Sequence, residues 1–434
     1  MATVIENDNC RYEVVKVLNP DNQVLNVAIT TPLNGNPTAA TDAFGRQRVS
    51  NPLTLFDSSH RYRDNGLWNT NTASGGTTTF QASEGLVDLD VTTTSGSLVY
   101  RETTKVFSYQ PGKSLLILNT FVMSPAKTGL RQRVGYFGAA NGMYIELNNS
   151  TLSFVERSSS SGALSETRVA QTSWNVDKMD GTGPSGVVLD ITKAQILWMD
   201  VEWLGLGSVR LGFIIDGRFI PCHVFHHANR ISSTYITTGS LPLRYEIENT
   251  GATASNSKLK QVCSTVISEG GYELRGAQQA IEIPIGTPYD LTTASTYYPI
   301  ISIRLKSTPN RLDAIVILTA LSLLAITNNA NYNWKVVATG TTTGGTWTSA
   351  GADSAVEYNL TGTSFAGGRV LASGFLNGSN QGSTPVDILK EALFAFQLER
   401  NSFTSTPSEL TLTATADTNG ADIYASLDWE EISR

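Results

Sequence analysis

Cysteine is scarce in this chain and badly spaced for cross-linking. The 434 residues hold Cys10, Cys222 and Cys263, which are far apart and odd in number. They give no disulfide framework and no paired Cys-x-x-Cys metal spacing. Charge is thin as well, at 16% of residues against about 25% in a typical soluble protein. The net charge of −7 leaves no basic footprint for nucleic acid. The longest apolar run, Ala314–Ile326, falls short of the about 20 residues needed to span a bilayer and reads as buried core. The first residues lack the basic, apolar, small-residue order of a secretory signal, so a soluble protein assembled in the cytosol is expected. There is no Gly-x-Gly-x-x-Gly or Walker-type loop and no nucleophile-elbow spacing. The pairs Gly344-Gly345 and Gly367-Gly368 read as turns. No cofactor is expected.

Thr, Ser, Asn and Gly fill the place of the missing charge, which suits many short strands joined by polar turns. The fold class is expected to be all-β: an arm over 1–65, a sandwich over 66–275, and a second sandwich over 276–434. In the arm, Asn19-Pro20-Asp21-Asn22 is a turn signal between Val17 and the alternating Leu25, Val27 and Ile29, which reads as a hairpin. Ser268-Glu269-Gly270-Gly271 marks the end of the middle domain. Beyond it, Ile300–Leu305, Leu393–Leu398, the Leu410/Leu412/Ala414 series and the Ile423/Ala425/Leu427/Trp429 series read as strands. Thr384 followed by Pro385 reads as a helix start, with one short helix over 386–392. The segments 71–79, 157–166 and 339–351 are Ser/Thr/Gly-rich and read as loops.

The clearest pattern is 197–224. Leu197, Met199, Val201 and Trp203 alternate with Trp198, Asp200 and Glu202, and Val209, Leu211, Phe213 and Ile215 alternate again before Asp216-Gly217, a type I′ hairpin signal. A two-residue turn there places Phe213 opposite Ile220 and Arg210 opposite His223. A five-residue loop over 204–208 places Glu202 opposite Arg210. Glu202, Arg210 and His223 then share a polar row on the face that also carries Trp198 and Asp200.

Two chemistries are weighed for this face. Asp200 and Glu202 project from one side of a strand and resemble the paired carboxylates of concanavalin A-like glucanases, which need an acid and a nucleophile about 5–5.5 Å apart, or wider with a water between. The simpler reading pairs Glu202 with Arg210. Trp198, Ile214, Phe219 and Phe225 beside polar groups suit a glycan, or a subunit contact, and the contact is preferred. Cys222, His223, His226 and His227 do not converge on a strand as a zinc site requires, so no metal is expected.

The segment Asp42-Ala-Phe-Gly-Arg-Gln-Arg-Val-Ser-Asn-Pro-Leu-Thr-Leu-Phe-Asp-Ser58, followed by His60-Arg61-Tyr62, has its own physical reading. Gly45 permits close backbone approach. Arg46 and Arg48 share a face if extended and suit a carboxylate on a partner. Phe44, Leu53, Leu55 and Phe56 would be apolar anchors, or else part of an ordinary first strand. The segment also resembles a pattern in structural proteins of tailed-bacteriophage virions, many from phages of marine bacteria and cyanobacteria. That resemblance runs on through 198–217, 241–247 and 263–271, roughly the first 275 residues. It implies a virion location and a lectin-like jelly-roll body held by contacts to capsid, neck or tail proteins. Phe44, Gly45, Arg46, Arg48, Leu55 and Phe56 would then be assembly contacts. It further implies a homo-oligomer, a trimer being the arrangement of such appendages. The alternative is a host-glycan-binding adhesin of the virion, with Trp198, Asp200, Glu202, Arg210 and His223 as the binding face. A polysaccharide-degrading enzyme is the third reading.

Overall fold

The computed structural model describes residues 51–271, 276–379 and 397–433, and the backbone of five further strands at 3–7, 10–14, 16–18, 24–26 and 384–386. By internal contacts the chain divides into Met1–Asn51 and Pro52–Arg434. In the first unit Thr3–Asn7 pairs with Cys10–Val14, and Lys16–Leu18 pairs antiparallel with Val24–Asn26, the hairpin expected around Pro20.

The second unit is all-β and contains two large hydrophobic cores and a small cluster of Phe137, Tyr144 and Val155 among the described residues. Two antiparallel sheets enclose the first core. One runs, edge to edge, Arg218–Phe225, Val209–Ile215, Gln195–Val201, Leu115–Val122, Ser257–Ser268, Leu86–Val91 and Thr77–Gln81. The other runs Ser165–Ala170, Thr151–Ser158, Gly142–Asn148, Leu130–Phe137, Leu243–Asn249, Leu98–Thr103 and Trp68–Ala73. Strict alternation builds the interior. Leu115, Ile117, Asn119 and Phe121 point in while Leu116, Leu118 and Thr120 are half-buried on the far side. Leu197, Met199, Leu211 and Phe213 meet Val134, Tyr136, Ile145 and Phe154 in the core. Each fully buried side chain of this kind stabilises by roughly 1.5–3 kcal/mol.

The second core lies between the sheet Ala277–Glu282, Ala421–Ser433, Ile315–Ala325, Thr384–Val386 and the sheet Thr348–Ser349, Val356–Asn359, Tyr298–Leu305, Glu409–Ala416, Asn331–Thr343, Ser364–Asn377. Ile423, Ala425, Leu427 and Trp429 all point into it, as their alternation requires. The two sandwiches touch through Lys105 and Glu399 (3.1 Å), the Gln397 amide donating to the Ser108 hydroxyl (2.5 Å), and Tyr100 against Phe403 (5.2 Å between ring centroids).

Three local expectations are corrected. Leu53–Ser59 is a strand paired with Ser257–Ser268, not part of an arm. Thr384–Val386 is a strand, not a helix start; it lies at a sheet edge, where proline removes no ladder bond. Residues 387–392 of the expected helix and most of the expected Leu393–Leu398 strand lie outside the described residues. The polar segments 71–79, 157–166 and 339–351 contribute strand as well as turn, because Thr and Ser serve well on the solvated face of a sheet. At Ser74-Gly75, both with positive φ, the chain turns from one sheet of the first sandwich to the other.

Candidate functional site

The expected polar row is rearranged by register. Asp216-Gly217 is the hairpin turn, with positive φ at both residues, and Phe213 faces Ile220. The connection before it is two residues longer than the spacing suggested, so Asp200, not Glu202, lies opposite Arg210. Asp200 Oδ2 accepts from Arg210 Nε at 2.6 Å and also from Nη2. Burial pushes the Asp200 carboxyl up, and Arg210 pulls it back only in part. Glu202 is exposed in the connecting loop, its carboxylate accepting from the Ser208 amide (3.3 Å). Asp200 and Glu202 therefore do not form a facing acid–nucleophile pair.

A bulge between Leu211 and Gly212 moves His223 out of the row and opposite Leu211. His223 is buried edge-on to Phe225 (4.6 Å), and its Nδ1 accepts from the Asn175 amide (3.3 Å). Burial, then the nearby His226, lowers it to about 4. Cys222 points into the core beside Met179, and burial pushes its thiol up to about 12. His227 stacks flat on Tyr235 (4.0 Å), with Glu156 Oε2 2.7 Å from Nε2 and the Gly207 carbonyl 2.5 Å from Nδ1. Among the described residues no group of three His, Cys, Asp or Glu side chains is placed to hold a metal.

Trp198 is only 5% exposed. Its indole lies over Gly212, where an added Cβ would sit 2.8 Å from Nε1 and 2.0 Å from the Ile220 carbonyl. Phe219 covers its edge at 5.6 Å. A glycan cannot stack on a ring so enclosed. What this face offers instead is an apolar surface: Phe219 is 54% and Ile196 37% exposed, beside half-buried Ile214, Leu116, Leu118 and Ile267.

The anchoring segment divides. Phe44, Gly45, Arg46 and Arg48 lie outside the described residues. Phe56 is in the first core against Trp68 and Phe107, so it is not a surface anchor. A bulge opposite Val266 and Ile267 leaves Leu55 unpaired and half-buried. Downstream, Trp68 Nε1 donates to Ser58 Oγ (2.9 Å), and fully buried Arg101 donates to Asp64 (2.6 Å) and Gln261 (3.0 Å). His60, buried beside Arg101, is lowered to about 4, mainly by burial.

Sequence reading missed the strongest polar feature, on the outer face of the other sheet. Arg133 lies between Glu146 and Glu246, donating to them at 2.8 and 3.0 Å, with all three buried. Arg244 links Glu246 (2.7 Å) to Glu102 (3.1 Å). Arg168 links Glu146 (2.8 Å) to Glu166, which also accepts from Arg157 and Tyr144, each at 2.7 Å. Burial works against the Glu166 carboxylate, but the Tyr144, Arg157 and Arg168 hydrogen bonds outweigh it and hold the group at about 2. Each of these four carboxylates, Glu102, Glu146, Glu166 and Glu246, accepts from at least one arginine. The signal was present as charges two apart in Arg131-Gln-Arg133 and Arg244-Tyr-Glu246-Ile-Glu248. Alternation gave their shared face but not their partners on other strands.

No family model matches the chain, and no curated protein matches it in sequence. Solved structures similar to about half of it include the carbohydrate recognition domain of Emp47p, at 12% identity and TM-score 0.31, covering 50% of this chain and 96% of that one. A GH16 protein of Bacteroides ovatus, in complex with a mixed-linkage glucan product, shares 9% identity at TM-score 0.34, over 49% of this chain and 99% of that one. The CBM2 module of the evolved Dit of Lactobacillus casei BL23 phage J-1 shares 5% identity at TM-score 0.34, over 52% and 100%.

Proposed function

We propose that the chain is a structural subunit of a bacteriophage virion, working through protein–protein contacts on its first sandwich. The observation that carries this reading is the apolar outer face built from Phe219, Ile196, Ile214, Leu116, Leu118 and Ile267. Contiguous apolar surface of this kind marks contact sites. The resemblance of 42–58 to virion structural proteins supplies the particle. An aromatic residue beside exposed polar groups is usual in a contact site, and this face carries exposed Phe219 and exposed Arg210.

The lattice on the opposite face supports the same reading. Its carboxylates are locked by arginine, which suits rigidity rather than turnover. Peptide mass spectrometry on gradient-purified particles tests the proposal. The chain is expected at a fixed copy number per particle, and its absence from particles alongside abundance in the free lysate would overturn it. Incorporation of Phe219→Ser by complementation is expected to fall below that of wild type.

A further inference from the structure

The second sandwich contains a cleft of about 620 Å³ at residues that no motif marks. It lies where the segment 283–292, whose strand Tyr289–Leu291 pairs with Ala421–Ser433, faces the loop 360–363 and the start of the strand Tyr298–Leu305. Its volume is within the range of small-molecule sites. Tyr289 and Tyr298 line it as two half-buried rings, 6.4 Å apart and inclined at 52°. Each ring is pinned by its own hydroxyl. Tyr289 donates to the Gly362 carbonyl (2.5 Å), and Tyr298 shares a hydrogen bond with Thr292 Oγ1 (2.7 Å). The rings are therefore oriented in advance, which lowers the entropy lost on binding.

The remaining lining narrows the ligand. Pro288 and Leu360 add apolar wall, while Asp290, Thr287 and Thr361 are exposed polar groups around it. Asp290 forms no ion pair among the described residues. Among the described residues no Lys, Arg or His lines the cleft, so an anionic ligand meets a carboxylate and no counter-charge. A purely apolar ligand would strip water from Asp290 without replacing its hydrogen bonds. A pyranose satisfies both parts, with a C–H face for a tyrosine ring and hydroxyls that donate to a carboxylate. We infer that this cleft binds a neutral saccharide, with Tyr289 and Tyr298 as the stacking platform and Asp290 as the hydroxyl acceptor. The inference does not depend on the virion reading, since it concerns a different sandwich and different residues.

Saturation-transfer NMR on the full chain tests it. The panel consists of the methyl glycosides of glucose, galactose, mannose and N-acetylglucosamine, their β-linked disaccharides, and sialyllactose and galacturonate as acidic counterparts. Transfer is expected to ring protons of at least one neutral sugar and to neither acidic one. Tyr298→Ala and, separately, Asp290→Asn should each weaken that binding about tenfold, with circular dichroism unchanged. Phe219→Ser in the other sandwich should leave it unaltered. Should Tyr298→Ala fail to fold, the exposed Asp290→Asn carries the test alone. No transfer to any panel member, a preference for the acidic sugars, or binding that survives Asp290→Asn would each overturn the inference. None of those results bears on whether the chain is found in particles.

Discussion

Arg133 and Lys306 are both buried cations, and the two sandwiches satisfy them differently. Arg133 meets two glutamates, which meet further arginines across neighbouring strands. Among the described residues Lys306 meets backbone carbonyls, those of Gly351 (2.7 Å) and Ser354 (2.6 Å). The buried carboxylate of Glu431 likewise accepts from neutral donors: the Ser354 hydroxyl (2.5 Å), the Ala355 amide (2.8 Å) and the Trp429 indole (3.0 Å). In the first sandwich charge is spread over a whole outer face and neutralised there. In the second, Lys306 and Glu431 are capped locally by neutral groups, and the Asp290 carboxylate at the cleft has no ion pair among the described residues. Rigid, self-satisfied faces suit assembly, and a carboxylate without a counter-ion beside aromatic rings suits ligand binding.

The contrast can be broken most directly by removing one group from each interior. Arg133→Ala leaves Glu146 and Glu246 buried with one fewer counter-charge and should cost about 3–5 kcal/mol. Trp429→Ala empties the second core and should cost a similar amount, about 3–5 kcal/mol. In differential scanning calorimetry each substitution should lower a different transition. A single transition lowered equally by both would mean that the two cores unfold together. Next in size is Gly212→Ala, whose Cβ has no room beneath Trp198. Overpacking of this kind costs about 1–3 kcal/mol by urea denaturation, and a neutral result would remove the account of why Trp198 is enclosed.

A smaller effect separates the sandwiches by pH, because all four histidines lie in the first. His60 and His223 are held at about 4 by burial, while in the unfolded chain they take a proton near 6.5. Between those values the unfolded state binds more protons, so their contribution to stability is complete above about 6.5 and falls as the pH drops toward 4. His227 acts in the opposite sense. Burial would lower it, but Glu156 and the Gly207 carbonyl raise it, so its contribution is present at low pH and lost as pH rises through its raised value. Replacing His60 and His223 together by Gln should flatten the decline in melting temperature of the first transition on acidification; an unchanged slope would show that other groups set it. The smallest effect belongs to Phe219→Ser. More than half exposed, it should change stability by less than about 0.5 kcal/mol, so that any loss of incorporation into particles is a loss of contact and not of fold.

Much of the architecture was legible along the chain. The hairpin at Asp216-Gly217 was readable from its turn residues, and the inward series of the last strand from its alternation. Leu53–Ser59 was harder, because its inward Phe56 follows a bulge that breaks the pattern, and its partner strand lies about two hundred residues away. Thr384-Pro385 misled because the same dipeptide that starts a helix is tolerated on an edge strand.

By itself the sequence determined that this chain makes sheets and, where the alternation is unbroken, which side chains share a face, since side chains alternate with a period of two whatever the neighbours are. Which polar groups meet was decided only in three dimensions. A two-residue difference in one loop gave Arg210 to Asp200, and one bulge took His223 away from them. The pairing of Arg244 with Glu102 joins positions 142 apart in the chain. Strand order and register set these contacts, and neither is written in the local pattern of any one strand.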